Sequence, residues 1–221
     1  MPVMQNVRVV DIYWGDDVEG KDCVAGFTKA KEAGLWGCIH KASQGTTFKD
    51  KAYDRRREAA QKVGLLWGAY HFNTGDNVKD QVDWFIKCAR PDKNTLMVLD
   101  FEDNKRSNMS VHEAVSFIKL VEDKTGRSCA IYSGNRLKET IGQLGKDEFQ
   151  YITSRKLWLC QYGPKAKLPK GFDKYWLWQY TGDGVGPLPH YIDGITCSGN
   201  SGIDLNVYNG TFDQLKKEWV E

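Results

Sequence analysis

Leu96-Met97-Val98-Leu99-Asp100-Phe101-Glu102 is the stretch on which the fold turns. Its five residues before Phe101 begin apolar and end in a carboxylate, and a second carboxylate follows two positions on. An unbroken apolar run of this length is the signature of a strand buried on both faces, as in parallel sheets. Side chains two apart on a strand share a face, so Asp100 and Glu102 point one way and Leu99, Phe101 and Asp103 the other. Working outward, strands are predicted over 7–13, 36–42, 65–72, 96–102, 129–133, 157–162, 175–180 and 203–207. Helices are predicted over 22–33, 50–63, 77–89, 110–124 and 135–144, with a closing amphipathic helix over 211–220. Ser110 with Glu113 three residues on is a capping-box pair, and Gly34, Gly64 and Gly126 stop their helices. Alternating strands and helices imply a parallel sheet, and eight strands imply closure. The expected fold is therefore an α/β, irregular TIM-like β/α barrel: about five βα units, then three strands with little helix. An open doubly wound sheet is disfavoured, because no Gly-rich phosphate loop follows the first strand.

Composition narrows the function. Of 221 residues, 41% are hydrophobic and 27% charged, and the net charge is +2. That balance argues against a dedicated nucleic-acid binder. No stretch is apolar enough to span a membrane, and residues 1–10 do not read as a signal peptide. Synthesis in a cytoplasm is expected, and one domain over 1–221 with no separate appended module. Eight Trp and ten Tyr supply either core packing or platforms for flat ligands such as sugar rings. The six Cys at 23, 38, 88, 129, 160 and 197 show no CxxC spacing. Cys38, Cys129 and Cys160 read as buried core thiols, and Cys197 as a loop residue open to solvent.

Carboxylates gather where apolar strands end: Asp11, then Asp100 and Glu102, then Asp204. Parallel barrels build active sites at the C-terminal ends of their strands, and the first and eighth strands are neighbours. These acids are thus expected to converge on one pocket. Two acids on one inward face raise at least one pKa, leaving a protonated acid beside an ionised partner, the pair that glycoside hydrolysis uses. Surface or loop-capping acids, and a divalent-metal site, are the alternatives.

Asp11, Gly68-Ala69-Tyr70-His71-Phe72, Leu99-Asp100-Phe101-Glu102, Ile131-Tyr132-Ser133, Trp158 with Gln161-Tyr162, Trp178-Gln179-Tyr180 and Asp204-Leu205-Asn206 occur in this order. The ordered set resembles the glycoside hydrolase family 25 lysozymes. The resemblance implies an irregular eight-stranded barrel that cleaves the β-1,4 bond after N-acetylmuramic acid in peptidoglycan, without cofactor or metal. By position, Glu102 would be the general acid, Asp100 its partner, and Asp11 and Asp204 supporting carboxylates at the pocket floor. Tyr70, His71, Tyr132, Trp158, Gln161, Tyr162 and Gln179 are candidate substrate-binding residues, with barrel packing or backbone contacts as the plainer alternative for each. His40 and Lys41 are candidate supporting residues. A route in which the substrate's own acetamido group attacks, steadied by Asp100, is preferred to direct attack by Asp100.

Two departures stand out. Ile12-Tyr13-Trp14-Gly15 replaces the family's Ser and following Gln or Asn, and the loop 187–201 is longer than expected. The rival enzyme is a chitinase-like N-acetylglucosaminidase, against which Val98, two before Asp100, argues. A non-catalytic glycan-binding barrel is a second rival, opposed by the presence of Glu102. A metal-dependent phosphodiesterase is a third. The expected partner is bacterial peptidoglycan glycan strands, met by a monomer that neither binds nucleic acid nor inserts in a membrane. Its compartment suggests an endolysin, made in a phage-infected host and released to the wall.

Overall fold

The computed structural model describes residues 7–197 and 202–221. Residues 1–6 and the end of the 187–201 loop lie outside the described residues.

The chain runs β1 (Val7–Ile12), β2 (Asp17–Val18), α1 (Val24–Glu32), β3 (Gly37–Gln44), β4 (Phe48–Lys49), α2 (Tyr53–Val63), β5 (Leu66–Phe72), α3 (Val78–Ala89) and β6 (Thr95–Asp100). It continues through α4 (Val111–Thr125), β7 (Cys129–Ser133), α5 (Asn135–Thr140), α6 (Lys146–Thr153), β8 (Leu157–Cys160), β9 (Leu177–Thr181), β10 (Ile195–Thr196), β11 (Asp204–Val207) and α7 (Phe212–Glu218). Eight of the described strands close a barrel in the order β1-β3-β5-β6-β7-β8-β9-β11, since β1 pairs with both β3 and β11. Neighbours from β1 to β9 are parallel, whereas β11 is antiparallel to β9 and to β1. The irregular barrel with five βα units is borne out. The fifth crossover is split: α6 is an extra helix beyond the one expected at 135–144.

Alternation along each strand divides two cores. Val9, Ile39, Leu96, Val98, Ala130, Tyr132, Trp158 and Leu177 fill the barrel interior. Their neighbours Val10, Cys38, Met97, Leu99, Ile131, Leu157 and Trp178 pack outward in the second cluster. Helix ends follow local chemistry. Ser110 Oγ accepts from the Glu113 amide at 3.2 Å while Glu113 returns to the Ser110 amide at 2.8 Å, and Asn77 Oδ1 caps α3 through the Asp80 amide. Trp219 seals the bottom of the barrel, its indole N–H donating to the Trp67 carbonyl at 2.8 Å.

Candidate active site

Continuing each inward row by two residues takes it from apolar to polar at one rim. Val9 leads to Asp11, Ile39 to Lys41, Val98 to Asp100, Trp158 to Cys160 and Leu177 to Gln179. On β11 the inward row is Asp204 and Asn206. The strand is antiparallel, so its first residue reaches the rim that the other strands reach with their last. Asp204 therefore lies directly across from Asp11. The expected convergence of Asp11, Asp100 and Asp204 is met, but an eighth parallel strand would have carried Asp204 to the opposite end.

Glu102 lies beyond β6, which ends at Asp100. Its placement depends on bonds that prolong the extended chain. The Phe101 amide donates to the Tyr132 carbonyl at 2.8 Å, and Ser133 Oγ donates to the Phe101 carbonyl at 2.7 Å. Asn73 Nδ2 donates to the carbonyls of Asp100 at 3.0 Å and Glu102 at 2.8 Å. Phe101 is fully buried, so the alternation persists and Asp100 and Glu102 face the same side. Glu102 lines an open pocket with Asp103, Asn135, Arg136, Cys160, Gln161 and Tyr162. A larger groove at the other end of the barrel, lined by Trp67, Lys216 and Trp219, has Asp213 as its one acid among the described residues.

Asp11 is held by three hydrogen bonds from two side-chain amides. Asn206 Nδ2 donates to its Oδ1 at 2.7 Å, and Gln179 Nε2 donates to both oxygens at 3.1 and 3.0 Å. Tyr132 Oη donates to Gln179 Oε1 at 2.7 Å, and Trp158 Nε1 donates to Asn206 Oδ1 at 2.5 Å. Each amide is thereby oriented with its nitrogen toward the carboxylate. Asp204 approaches Tyr162 closely over Gly182, where a Cβ would stand 2.2 Å from Asp204 Oδ1 and 2.4 Å from Tyr162 Oη. Only a glycine leaves room there.

Burial shifts each of the four clustered acids upward. Burial raises Asp11 to about 7 against the bonds from Asn206 and Gln179, with the charges of Asp16 and Glu102 adding to the rise. Burial and then the charges of Asp11 and Asp183 raise Asp204 to about 9. Burial raises Glu102 to about 7, offset by the Cys160 thiol and reinforced by Asp103 and Asp183. Asp100 is pushed well up by burial and Glu102, and Lys41 pulls it back. Asp100 Oδ1 is buried with no hydrogen-bond partner among the described residues. The arrangement is a proton-holding cluster with one lone acceptor and one half-buried acid at the open edge.

Several candidate binding residues sit elsewhere than expected. His71 is on the outward face of β5, because Tyr70 is inward. Its ring stacks on Phe117 at 5.1 Å, and its nitrogens meet Ser43 Oγ and Gln81 Oε1. Burial lowers it to about 4, so it braces sheet against helix and is not positioned for substrate. Gln179 is fully engaged by Asp11 and Tyr132. Trp158 is 1% exposed and packs on Tyr132 at 4.4 Å. Trp158, Tyr132 and Gln179 thus support the acids from beneath. Tyr70 faces the barrel near the acids, while Gln161 and Tyr162 do line the pocket. Gln161 Oε1 accepts from Lys138 Nζ at 2.5 Å. His40 also points outward, its Nε2 3.2 Å from Arg56 Nη1.

Sequence reasoning gave Asn206 no role of its own and Cys160 only a place in the core, although inward parity with Asp204 and Trp158 would have put both at the site. Cys160 is half-buried beside Glu102, a correction to its reading as a core thiol; Cys197 is half-buried too. Asn73 carried no signal, because its role depends on β6 arriving beside the end of β5. Among the described residues no group of three His, Cys, Asp or Glu is arranged to hold a metal ion, and no helix is long and apolar enough to cross a membrane.

The fold and site define a class: closed β/α barrels with a carboxylate cluster at the rim. Within it, residues 10–187 match the model of the glycosyl hydrolases family 25, and the chain belongs to that family. It is 29% identical over 181 residues to the uncharacterised protein YegX of Escherichia coli (strain K12), covering 80% of this chain and 60% of YegX. The chain thus spans less than two thirds of that relative. It is 25% identical to lysozyme M1 of Streptomyces globisporus, over 91% of this chain and 69% of the relative. Among solved structures, a muramidase from Trichobolus zukalii superposes with a TM-score of 0.76 and 26% identity, covering 96% of this chain and 98% of its own. A bacterial lysozyme from Streptomyces coelicolor shares the fold with a TM-score of 0.79 and 23% identity, each chain covered to 97%.

Proposed function

We propose that this chain hydrolyses the β-1,4 bond between N-acetylmuramic acid and N-acetylglucosamine in peptidoglycan, with retention and with the substrate's acetamido group as nucleophile. One observation carries the reading: Asp100 Oδ1, buried and without a hydrogen-bond partner among the described residues, beside Glu102, whose carboxyl burial raises to about 7. An unpaired buried acceptor is costly, and an acetamido N–H satisfies it. That contact turns the acetamido oxygen toward the anomeric carbon. As the oxygen bonds to that carbon, the glycosidic bond breaks and Glu102 gives its proton to the leaving oxygen. Water then opens the oxazolinium ring from the opposite side, and Glu102 takes a proton back. Two inversions at one carbon leave the β-anomer. Asp11 and Asp204 act as floor carboxylates that set the charge of the cluster. Membership in family 25 and the similarity to a muramidase and a lysozyme support the substrate.

The same reading has the barrel act as a catalytic domain, as a monomer, on the glycan strands of the wall. Purified peptidoglycan digested by the protein tests the activity. Reducing ends at muramic acid, with the β-anomer first by proton NMR, are expected. Reducing ends at N-acetylglucosamine would overturn the muramidase reading, and an initial α-product the acetamido route. Glu102→Gln should stay folded and lose about 10²–10⁴-fold in turnover; near-normal lysis would remove Glu102 as the acid.

A further inference from the structure

The turn Tyr13-Trp14-Gly15-Asp16, where the chain departs from the family pattern, is held far more firmly than an exposed turn requires. Tyr13 and Trp14 keep 38% and 45% of their surface open, with ring centroids 5.9 Å apart, edge-on. Their backbone is pinned from below. The Tyr13 amide donates to Asp16 Oδ2 at 2.8 Å and the Trp14 amide to Asp50 Oδ2 at 2.9 Å. Arg56, only 2% exposed, donates to the carbonyls of Tyr13 at 2.6 Å and Asp16 at 2.5 Å. A Cβ at Gly15 would stand 2.3 Å from the Tyr13 ring, which lies over that backbone. Burying charged groups is expensive, and here they fix the backbone from which two water-facing rings project. Rigid, exposed aromatic faces are suited to stacking on a ligand without ordering cost at the moment of binding.

The turn adjoins the catalytic pocket. It follows Asp11 directly, at the rim. Asp50, which holds the Trp14 amide, also interacts with Lys41, and Lys41 with Asp100. Phe48, 39% exposed, is on β4, which pairs with the rim end of β3, and its ring lies 5.4 Å from Lys41 Nζ. Tyr13, Trp14 and Phe48 therefore stand at the same rim as the acids, on its β1–β3–β4 side, beyond the residues that line the Glu102 pocket. Lys51 Nζ stands 4.2 Å from the Trp14 ring centroid, placing an exposed cation against the aromatic face.

We propose that Trp14 and Lys51 form an outlying subsite for an acidic glycan, Trp14 stacking on a pyranose ring and Lys51 pairing with a carboxylate carried by that strand. This rests on the peptidoglycan reading, in which alternate sugars bear a lactyl carboxyl or an acidic stem peptide. An uncharged glycan would use the ring and not the cation. The test is calorimetric binding of a soluble muramyl tetrasaccharide, and of the same fragment as methyl esters, to the Glu102→Gln protein. Adding Trp14→Ala should weaken both ligands about tenfold or more, with partial recovery in Trp14→Phe. Adding Lys51→Met should weaken only the acidic fragment, and less so at high salt. Affinities unchanged in both variants would overturn the subsite. Cleavage of the same fragment by the unmodified protein keeps the two failures apart: cleavage with unchanged affinities removes the subsite alone, and absence of cleavage removes the peptidoglycan reading beneath it.

Discussion

Asp204 shows how a single residue couples chemistry to stability. It faces Asp11 across the β1–β11 pair, and burial first, then that charge, lifts its carboxyl from 3.8 to about 9. An acid whose folded pKa is raised binds its proton more tightly folded than unfolded. Its favourable share of stability is complete below about 3.8 and is lost as pH rises to about 9. Asp204→Asn keeps the shape and removes the titration. Its Tm should exceed that of the parent at pH 8 by about 2–4 °C or more and converge on it near pH 4. Melting curves across that range check this; a gain largest at pH 4 would contradict the sign. Activity should not follow that gain, because the cluster works by holding and releasing protons and Asp204→Asn removes one of its carboxyls.

At the scale of elements, the junctions after β5 and β6 matter more than the strands themselves. β6 delivers Asp100, but Glu102 stands on irregular chain that Asn73 holds by two carbonyls, while Asn73 Oδ1 also accepts from the Met109 amide at 3.1 Å. Asn73→Ala leaves these groups without their partner at a cost of about 1–3 kcal/mol. Misplacement of the acid by even a fraction of its reach should lower kcat by about 10²-fold. Urea denaturation and steady-state kinetics separate the two effects, and a variant with lowered stability but unchanged kcat would show that Asn73 serves the fold alone. Alternation explains what was legible at this level. Tyr70 inward forces His71 outward, so the sequence contained the argument against His71 as a binding residue.

At the scale of the molecule, closure places the chemistry at one end and the seal at the other. Trp219 packs with Trp176, centroids 5.7 Å apart, and is bonded to the Trp67 carbonyl, closing the interior opposite the acids. Trp219→Ala should cost about 3–5 kcal/mol by chemical denaturation. The pH-rate profile should keep its shape, since that end carries none of the clustered acids; a shifted profile would mean that the seal and the rim are coupled.

The sequence alone determined the barrel, the inward rows and the identity of the four acids, because hydrophobic periodicity and strand parity are local properties of neighbouring residues. Tertiary structure alone decided three things. β11 runs antiparallel, which brings Asp204 rather than its far end to the rim. Gln179 and Asn206 turn their amides onto Asp11, a pairing across 168 and 195 positions of sequence. Trp158 is a buried support, not an open platform. Each depends on which strands become neighbours and in what direction, and that is set by closing the whole sheet on itself, a condition that no window of sequence contains.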